Sequence, residues 1–395
     1  MSAPSSALHL TRQLAQSGVR AVAPIRTCNA AARAFSSSTP ARSTLSTFEP
    51  EPSQTVLTSH PDSKGKTPPH LLTLADLSVG QIQNVLETAQ KFKAAYYSST
   101  PLPSSLKSKS VAIMFSKRST RTRVASETAV ASLGGTGIFL GPSDIQLGVN
   151  ETLYDTTRIL ASMVDGIMAR VGAHSEVELL AKHSRVPVIN ALSARYHPTQ
   201  ILADLQTMLE IYAGPGSSDL KKLAGLKVAW VGDSNNILND MIVSFARLGI
   251  HLAVATPPGD AYKRDDLVWG TMKDGLRAEK LADGVSAGEV TWSNDPLEAV
   301  KDADIIVTDT WISMGDEATK DQRLRDFRGF QVTEDLAKRG GAKPDWKFMH
   351  CLPRKGDEVD DEVFFSDRSV VFPEGENRKW TIMALFDRMF GHRQL

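Results

Sequence analysis

Hydroxyl and guanidinium side chains are concentrated in residues 119–123, Ser-Thr-Arg-Thr-Arg. The preceding segment, 111–115, is an apolar run typical of a short buried strand, and residues 124–133 have a helical pattern that ends at Gly134-Gly135. A helix N-terminus presents free backbone N–H groups and the positive end of the helix dipole, and arginine forks suit phosphate oxygens. The stretch therefore predicts an anion pocket. A capped, solvated helix start with surface arginines is the alternative.

Four more polar clusters lie next to predicted strands or at the start of a predicted helix. They are Arg170, His197-Pro-Thr-Gln200, Asp309–Gly315 and His350–Arg354. Each alone has an ordinary structural explanation, such as a surface ion pair, a helix start or a small buried cysteine. Ligands of parallel α/β sheets bind at the carboxyl ends of the strands. Five clusters in such positions predict a single site.

The elements that must position these clusters alternate between strands and helices. Predicted strands lie at 111–115, 137–140, 166–169, 186–189, 226–233, 252–255, 305–308, 347–350 and 370–372. Predicted helices lie at 74–89, with Ser78 as a candidate N-cap, and at 124–133, 198–212, 237–248 and 377–390. This alternation predicts an α/β fold with two doubly wound parallel-sheet domains joined by long helices.

Length and composition agree with two globular domains. The chain has 395 residues, 41% of them hydrophobic and 23% charged, which is more than one ordinary core accommodates. We expect a first domain at 69–213, a boundary at Gly214-Pro-Gly216 and a second domain at 225–376. A C-terminal helix at 377–391 is expected to pack back on the first domain. No apolar run approaches the roughly 20 residues that span a bilayer.

The first residues differ in composition from the rest of the chain. Residues 1–45 are rich in serine, alanine and arginine, and the first acidic residue is Glu49. This composition predicts an organelle transit peptide, with a disordered low-complexity tail as the alternative. Residues 46–68 are expected to form a flexible lead-in. Without the five arginines of residues 1–48, the remainder has 40 basic and 45 acidic residues, a balance of −5 that argues against nucleic-acid binding.

Cofactor and metal signatures are missing from the sequence. The turn after residue 231 lacks the G-x-G-x-x-G spacing of dinucleotide-binding proteins, and no Walker-type phosphate loop is present. The nine histidines are scattered, and the two cysteines, Cys28 and Cys351, cannot build a disulfide framework or a cysteine-type zinc site. We therefore expect no cofactor and no metal, and a reducing compartment.

Taken in order, the motifs resemble those of the carbamoyltransferases. These motifs are Ser-Thr-Arg-Thr-Arg, His-Pro-x-Gln, Asp-x-x-x-Ser-Met-Gly and His-Cys-Leu-Pro, and the last two are similar to the ornithine-specific branch of the family. The resemblance extends from about His70 to Phe390. It implies carbamoyl transfer from carbamoyl phosphate to the δ-amine of L-ornithine, in a homotrimer of the mitochondrial matrix that binds neither nucleic acid nor membrane.

The resemblance also implies roles for individual residues. Residues that would bind carbamoyl phosphate are Ser119, Thr120, Arg121, Thr122, Gln146, Arg170, His197, Gln200, Cys351, Leu352 and Arg378. Gln146 would come from a neighbouring subunit. Residues that would bind ornithine are Asn236, Asp309, Ser313 and Met314. Cys351, Arg170 and His197 would act in catalysis, with Arg170 and His197 polarising the carbamoyl oxygen and Cys351, beside Asp309, handling a proton.

Three other functions remain open on the sequence alone. A carbamoyltransferase could use putrescine, aspartate or an acylated ornithine as its acceptor. The loop 144–151 lacks the lysine that aspartate carbamoyltransferases have there, which favours ornithine. A non-catalytic anion-binding protein would form no citrulline, and a dinucleotide oxidoreductase would bind its cofactor.

Overall fold

A computed structural model describes most of the chain after the predicted lead-in. The described residues are 68–143, 151–278, 281, 285–312 and 317–395. The predicted transit peptide therefore lies outside the described residues, as does the lead-in except for Pro68. The same holds for Gln146, Ser313 and Met314.

The first lobe is a four-stranded sheet covered by helices. Its strands are β1 (Ser110–Phe115), β2 (Thr136–Leu140), β3 (Gly166–Arg170) and β4 (Val188–Leu192). Its helices are α1 (Val79–Tyr97), α2 (Thr120–Ser132), α3 (Leu153–Met163), α4 (His174–His183) and α5 (Pro198–Tyr212). Ser78 caps α1 in a capping box with Gln81, as the sequence predicts.

The second lobe is a five-stranded sheet. Its strands are β5 (Lys227–Val231), β6 (His251–Ala255), β7 (Val290–Ser293), β8 (Ile305–Thr308) and β9 (Lys347–His350). Its helices are α6 (Asn236–Phe245), α7 (Asp266–Ala278), α8 (Pro296–Val300), α9 (Lys320–Asp326), α10 (Glu334–Gly340) and α11 (Asp361–Phe364), and α12 (Val371–Leu385) follows them along the chain.

All strand pairs in both sheets are parallel. The first sheet has the order β2-β1-β3-β4 and the second the order β7-β6-β5-β8-β9. Central strands such as β1 and β8 are buried on both faces, which explains their uninterrupted apolar sequences. The fold class that the sequence predicts, two doubly wound parallel sheets, is confirmed. Parallel strands bring their carboxyl ends to one edge, where the polar clusters follow them.

Helix α12 connects the end of the chain to the first lobe. It packs against α5, α1 and α2, and Trp380, Met383 and Phe390 belong to the same apolar core as residues of β1 and α5. Its last turn is followed by a π-helical turn, Phe386–Gly391. Among the described helices, none is long and apolar enough to cross a membrane.

The structure corrects one predicted strand. Residues 370–372 do not form a strand, because Val371 and Phe372 begin α12 and only Ser369 makes an isolated bridge, to Phe348. A short apolar run fits a strand or one face of a helix equally well, and packing on the first lobe decides for the helix. The strand β7 was not predicted, because its four residues are partly exposed and their pattern is weak.

Candidate active site

The predicted anion pocket includes the start of α2. Ser119 is the N-cap residue and has extended backbone, but its hydroxyl makes no capping hydrogen bond. The first N–H groups of α2, at Thr120, Arg121 and Thr122, therefore receive no side-chain cap from it. Thr122 is buried, and its hydroxyl accepts a hydrogen bond from Arg378 Nη2 at 3.2 Å. Unsatisfied N–H groups at a helix start favour an anion.

Three guanidinium groups are electrostatically coupled beside this helix start. Burial lowers the pKa of Arg170 to about 10, and the charge of Arg121 contributes to the shift while Cys351 opposes it. Burial also lowers the pKa of Arg378 to about 10, with Arg121 and Arg170 among the further causes. Both groups remain cationic at neutral pH. The Nε atom of Arg170 is buried and has no hydrogen-bond partner among the described residues. Concentrated positive charge of this kind is costly unless an anion offsets it.

His197 lies among the same three arginines in its neutral form. Burial lowers the pKa of His197 well below its usual value, and the charges of Arg378, Arg170 and Arg121 lower it further. A neutral imidazole keeps one N–H donor and can polarise a carbonyl oxygen without adding charge. The peptide N–H of His197 donates to Asp240 Oδ2 at 2.6 Å. This bond anchors the start of α5 to α6 of the second lobe.

Asp309 and Cys351 form a pair across the ends of β8 and β9. The Cys351 Sγ lies 3.0 Å from Asp309 Oδ1, and Asp309 Oδ2 accepts from Asn235 Nδ2 at 2.9 Å. Burial, together with the charge of Asp309 and the hydrogen bond to it, raises the pKa of the Cys351 thiol well above its usual value. Cys351 is therefore a protonated donor at neutral pH. A covalent role as a thiolate nucleophile does not fit this environment.

Asn236 contacts the opposite lobe instead of Asp309. Its Nδ2 donates to the carbonyl oxygen of Ser193 at 2.7 Å. The neighbouring Asn235 is the residue that touches Asp309, and its Oδ1 also caps α6 by accepting from the N–H groups of residues 237 and 238. Asn235 was missed by the sequence reasoning, although an asparagine before a helix is a recognisable cap signal.

Leu352 turns its carbonyl toward the arginines. Its φ of +58° is in the left-handed region, which costs a non-glycine residue on the order of 1–3 kcal/mol. The turn is held by His350, whose Nδ1 accepts from the Leu352 N–H at 2.8 Å. The Leu352 carbonyl oxygen accepts a hydrogen bond from Arg121 Nη2, which joins the helix start of the first lobe to the second.

His350 and Glu358 form a buried pair behind this turn. The His350 Nε2 lies 3.1 Å from Glu358 Oε1, and both side chains are fully buried. Burial alone would raise the pKa of Glu358, but hydrogen bonds from His350 and the Lys355 N–H outweigh it and lower that pKa. Because Nδ1 accepts from Leu352, the ring carries its proton on Nε2. His350 thus supports the turn at Leu352.

One group of side chains in the described residues could in principle hold a metal ion. The ligand atoms of Asp309, His350 and Cys351 lie within 4.8 Å of one another. Both ring nitrogens of His350 are already hydrogen-bonded, and the thiol is a donor to Asp309. A metal would have to displace all three contacts, so these residues fit a metal site poorly.

Gln200 and Arg378 complete the contacts among the predicted site residues. Arg378 Nη1 donates to Gln200 Oε1 at 2.6 Å, and its Nη2 reaches the hydroxyl of Thr199 at 3.3 Å. Thr199, like Asp204 and Glu374 around the same amide, was not singled out from the sequence. Nothing local marks these residues, because their partners lie on distant segments.

Both lobes match domain models of the same protein family. The family model for the carbamoyl-P binding domain of aspartate/ornithine carbamoyltransferase matches residues 69–210, and the model for its Asp/Orn binding domain matches residues 224–389. A mitochondrial ornithine carbamoyltransferase of Aspergillus niger is 50% identical over 340 residues, which cover 84% of this chain and 90% of that protein. Its counterpart in Schizosaccharomyces pombe is 50% identical over 333 residues, covering 83% and 96%.

Solved structures agree with the sequence matches. The crystal structure of a mitochondrial ornithine carbamoyltransferase from Coccidioides immitis is 47% identical and superposes with a TM-score of 0.74, covering 83% of this chain and 99% of that one. The ornithine carbamoyltransferase from Pyrococcus furiosus is 42% identical with a TM-score of 0.73, covering 82% and 97%. With both family models matched along the described lobes, the chain belongs to the aspartate/ornithine carbamoyltransferase family.

Proposed function

We propose that the protein transfers the carbamoyl group of carbamoyl phosphate to the δ-amine of L-ornithine, giving L-citrulline and phosphate. The main observation behind the proposal is that three guanidinium groups and an uncapped helix start lie near the thiol–carboxylate pair of the other lobe. The first set suits a phosphate, and the second suits an amine. The relatives named above as ornithine carbamoyltransferases support the same acceptor.

Carbamoyl phosphate is assigned to the first set. Its phosphate would be held by Ser119, Thr120, Arg121 and Thr122, with Gln146 of a neighbouring subunit. Its carbamoyl group would lie among Arg170, His197, Gln200 and Arg378, beside Cys351 and Leu352. Arg170 and neutral His197 would donate to the carbamoyl oxygen as negative charge develops there, an effect of about 3–4 kcal/mol for one well-placed donor.

Ornithine is assigned to the second set. Asn236, Asp309, Ser313 and Met314 would bind its α-amino and α-carboxylate groups, and its δ-amine would approach the carbamoyl carbon beside Cys351. An alkylammonium has a pKa of about 10.4, so the δ-nitrogen must lose a proton before it attacks. The nearby cationic charge of Arg121, Arg170 and Arg378 favours the neutral amine, because like charges disfavour the ammonium form.

The reaction then follows the charges. The δ-nitrogen lone pair forms a bond to the carbamoyl carbon, and the carbonyl electrons move to oxygen, which gives a tetrahedral intermediate. The bond from that carbon to the phosphate oxygen breaks, and phosphate leaves with the electron pair toward Arg121 and the start of α2. The extra proton on nitrogen passes to the Asp309 carboxylate, with the Cys351 thiol as the intervening donor and acceptor.

The proposal extends to assembly, location and domain limits. A homotrimer in the mitochondrial matrix is expected, because the relatives are named mitochondrial and the loop with Gln146 is assigned to a neighbouring subunit. The limits 69–213 and 225–376 for the two substrate-binding domains, with 377–391 returning to the first, belong to the same proposal. Sedimentation of the purified protein would test the trimer.

A product assay with three acceptors tests the activity. Purified protein is incubated with carbamoyl phosphate and ornithine, putrescine or aspartate, and carbamoylated products are separated and quantified. We expect citrulline to dominate. A larger yield of carbamoylputrescine or carbamoylaspartate would contradict the acceptor, and no product with any amine would contradict the enzymatic function.

A further inference from the structure

The side-chain amide of Gln200 is fixed in one orientation by its neighbours. Its Nε2 donates to Asp204 Oδ1 and to Glu374 Oε1, each at 2.8 Å, while its Oε1 accepts from Arg378 Nη1 at 2.6 Å. A guanidinium has only donors, so the oxygen must face Arg378, and the amide N–H groups must face the carboxyls. Gln200 is 1% exposed, so water does not substitute for these partners.

The two carboxyl groups that accept from the amide are both buried and lie next to each other. Asp204 is on α5 and Glu374 is on α12. Burial raises the pKa of Asp204 to about 7. Burial and the charge of Asp204 raise the pKa of Glu374 well above its usual value. The positive charge of Arg378 opposes both shifts.

The pair also reaches the second lobe. Glu374 Oε2 accepts a hydrogen bond from the peptide N–H of His350 at 2.9 Å. His350 directly precedes Cys351, so Glu374 connects the amide of Gln200 with the end of β9. Glu374 therefore needs two acceptor atoms, one for Gln200 and one for His350, whereas Asp204 needs one, for Gln200.

We propose that Asp204 and Glu374 are positioning residues that keep the Gln200 oxygen directed toward the carbamoyl N–H groups of the substrate. The carbonyl oxygen of Gln200 has a second lone pair beyond the one that Arg378 uses. An acceptor held there selects a carbamoyl group, which has N–H donors, over an acetyl group of similar shape, which has none. The proposal rests on the proposed function, and it adds a source of discrimination between carbamoyl phosphate and acetyl phosphate.

Matched substitutions separate this role from simple packing. In Asp204→Asn, the new amide oxygen accepts from Gln200 and the new N–H₂ group faces Glu374, so the acceptors for Gln200 and for His350 are kept. We expect kcat/KM for carbamoyl phosphate to stay within about threefold of wild type, because no hydrogen bond is lost. In Glu374→Gln, the same side-chain length brings an N–H₂ group against the N–H of Gln200 or of His350. We expect kcat/KM to fall about 10- to 100-fold, since small displacements of a substrate contact have costs of this size.

Two inhibitors report on the position of the amide. Inorganic phosphate probes the helix start alone, and acetyl phosphate probes the pocket without carbamoyl N–H groups. In Glu374→Gln we expect unchanged inhibition constants for both, while the KM for carbamoyl phosphate rises and the preference over acetyl phosphate shrinks.

The outcome is decided by the asymmetry between the two variants. Equal retention or equal loss of activity in Asp204→Asn and Glu374→Gln would overturn the proposal. A parallel rise of the phosphate inhibition constant in Glu374→Gln would also overturn it, because that result indicates general damage to the pocket. If wild-type protein forms no citrulline, the proposed function fails. In that case the affinities of Asp204→Asn and Glu374→Gln for carbamoyl phosphate and for acetyl phosphate, measured by calorimetry, still decide whether Asp204 and Glu374 position Gln200.

Discussion

Replacing Arg121 by glutamine tests the phosphate pocket most directly. Arg121 is partly exposed on the first turn of α2, and it donates a hydrogen bond to the Leu352 carbonyl oxygen. Glutamine still offers an N–H to that carbonyl and keeps most of the side-chain length, so we expect the variant to fold. It loses the positive charge and the forked pair of donors.

The expected loss follows from the bonds that disappear. A hydrogen bond to a charged group contributes about 1.5–3 kcal/mol, and a forked contact to phosphate contains two such bonds. The loss is partly offset, because Arg121 repels Arg170 and Arg378 and lowers their pKa values. A net loss of about 3 kcal/mol corresponds to a rise on the order of 10²-fold in the KM for carbamoyl phosphate and in the inhibition constant of phosphate.

Steady-state kinetics of citrulline formation, with phosphate as an inhibitor, measure the KM for carbamoyl phosphate and the inhibition constant of phosphate. Arg121→Lys keeps the charge without the fork, and we expect an intermediate effect. Arg123→Gln is the matched control on the same helix, because Arg123 is exposed, pairs with Glu127 at 3.1 Å and lies over the ring of Phe139. An unchanged phosphate inhibition constant in Arg121→Gln, or an equal change in Arg123→Gln, would refute the assignment of the pocket.

Three further substitutions test the residues around this pocket. Asp309→Asn should speed the alkylation of Cys351 by iodoacetamide at pH 8, because the charge of the Asp309 carboxylate helps to raise the pKa of the thiol. Peptide mass spectrometry measures the rate, and an unchanged rate would contradict this effect of Asp309. Burial raises the pKa of Asp240 to about 7, above its unfolded value, so this carboxyl contributes stability that is lost as pH rises from 5 to 8. The melting temperature of wild type relative to that of Asp240→Asn should therefore fall over that range, and a constant difference between the two proteins would contradict this. Glu358→Ala should lower the free energy of unfolding by about 1–3 kcal/mol through the lost hydrogen bonds, which denaturant titration measures. It should also raise the KM for carbamoyl phosphate by loosening the turn at Leu352, and an unchanged KM would contradict that role of the turn.

The elements that sequence patterns predicted well are those with local causes. The strand at β1 is a continuous apolar run, the cap at Ser78 is followed by glutamine three residues later, and α5 spans residues 198–212 as its periodicity indicates. The strand prediction at 370–372 was wrong because three apolar residues do not distinguish a strand from the first turn of a buried helix.

The supporting residues of the site could not be predicted from local pattern. Glu374 is 174 positions from Gln200, and Asp240 is 167 positions from Thr73, whose hydroxyl donates to it at 2.6 Å. Acidic residues within a helix usually indicate a solvated face, and only the packing of α12 on α5 and of α6 on the first lobe makes these carboxyls buried acceptors. Asn235 and Asn236 were separable only in three dimensions, since both are polar and adjacent.

The return of α12 to the first lobe has a consequence for the order in which the enzyme is built. The ribosome synthesises the chain from its N-terminus, so the strands of both sheets and most of the motifs have left the ribosome before residues 371–395 emerge. Until then Gln200 lacks Glu374 and Arg378, and the part of the core that Met383 and Phe390 complete is open to water. A nascent or truncated chain that ends before Val371 is therefore an unfinished first lobe with an exposed apolar surface, and chaperones would have to protect it during synthesis.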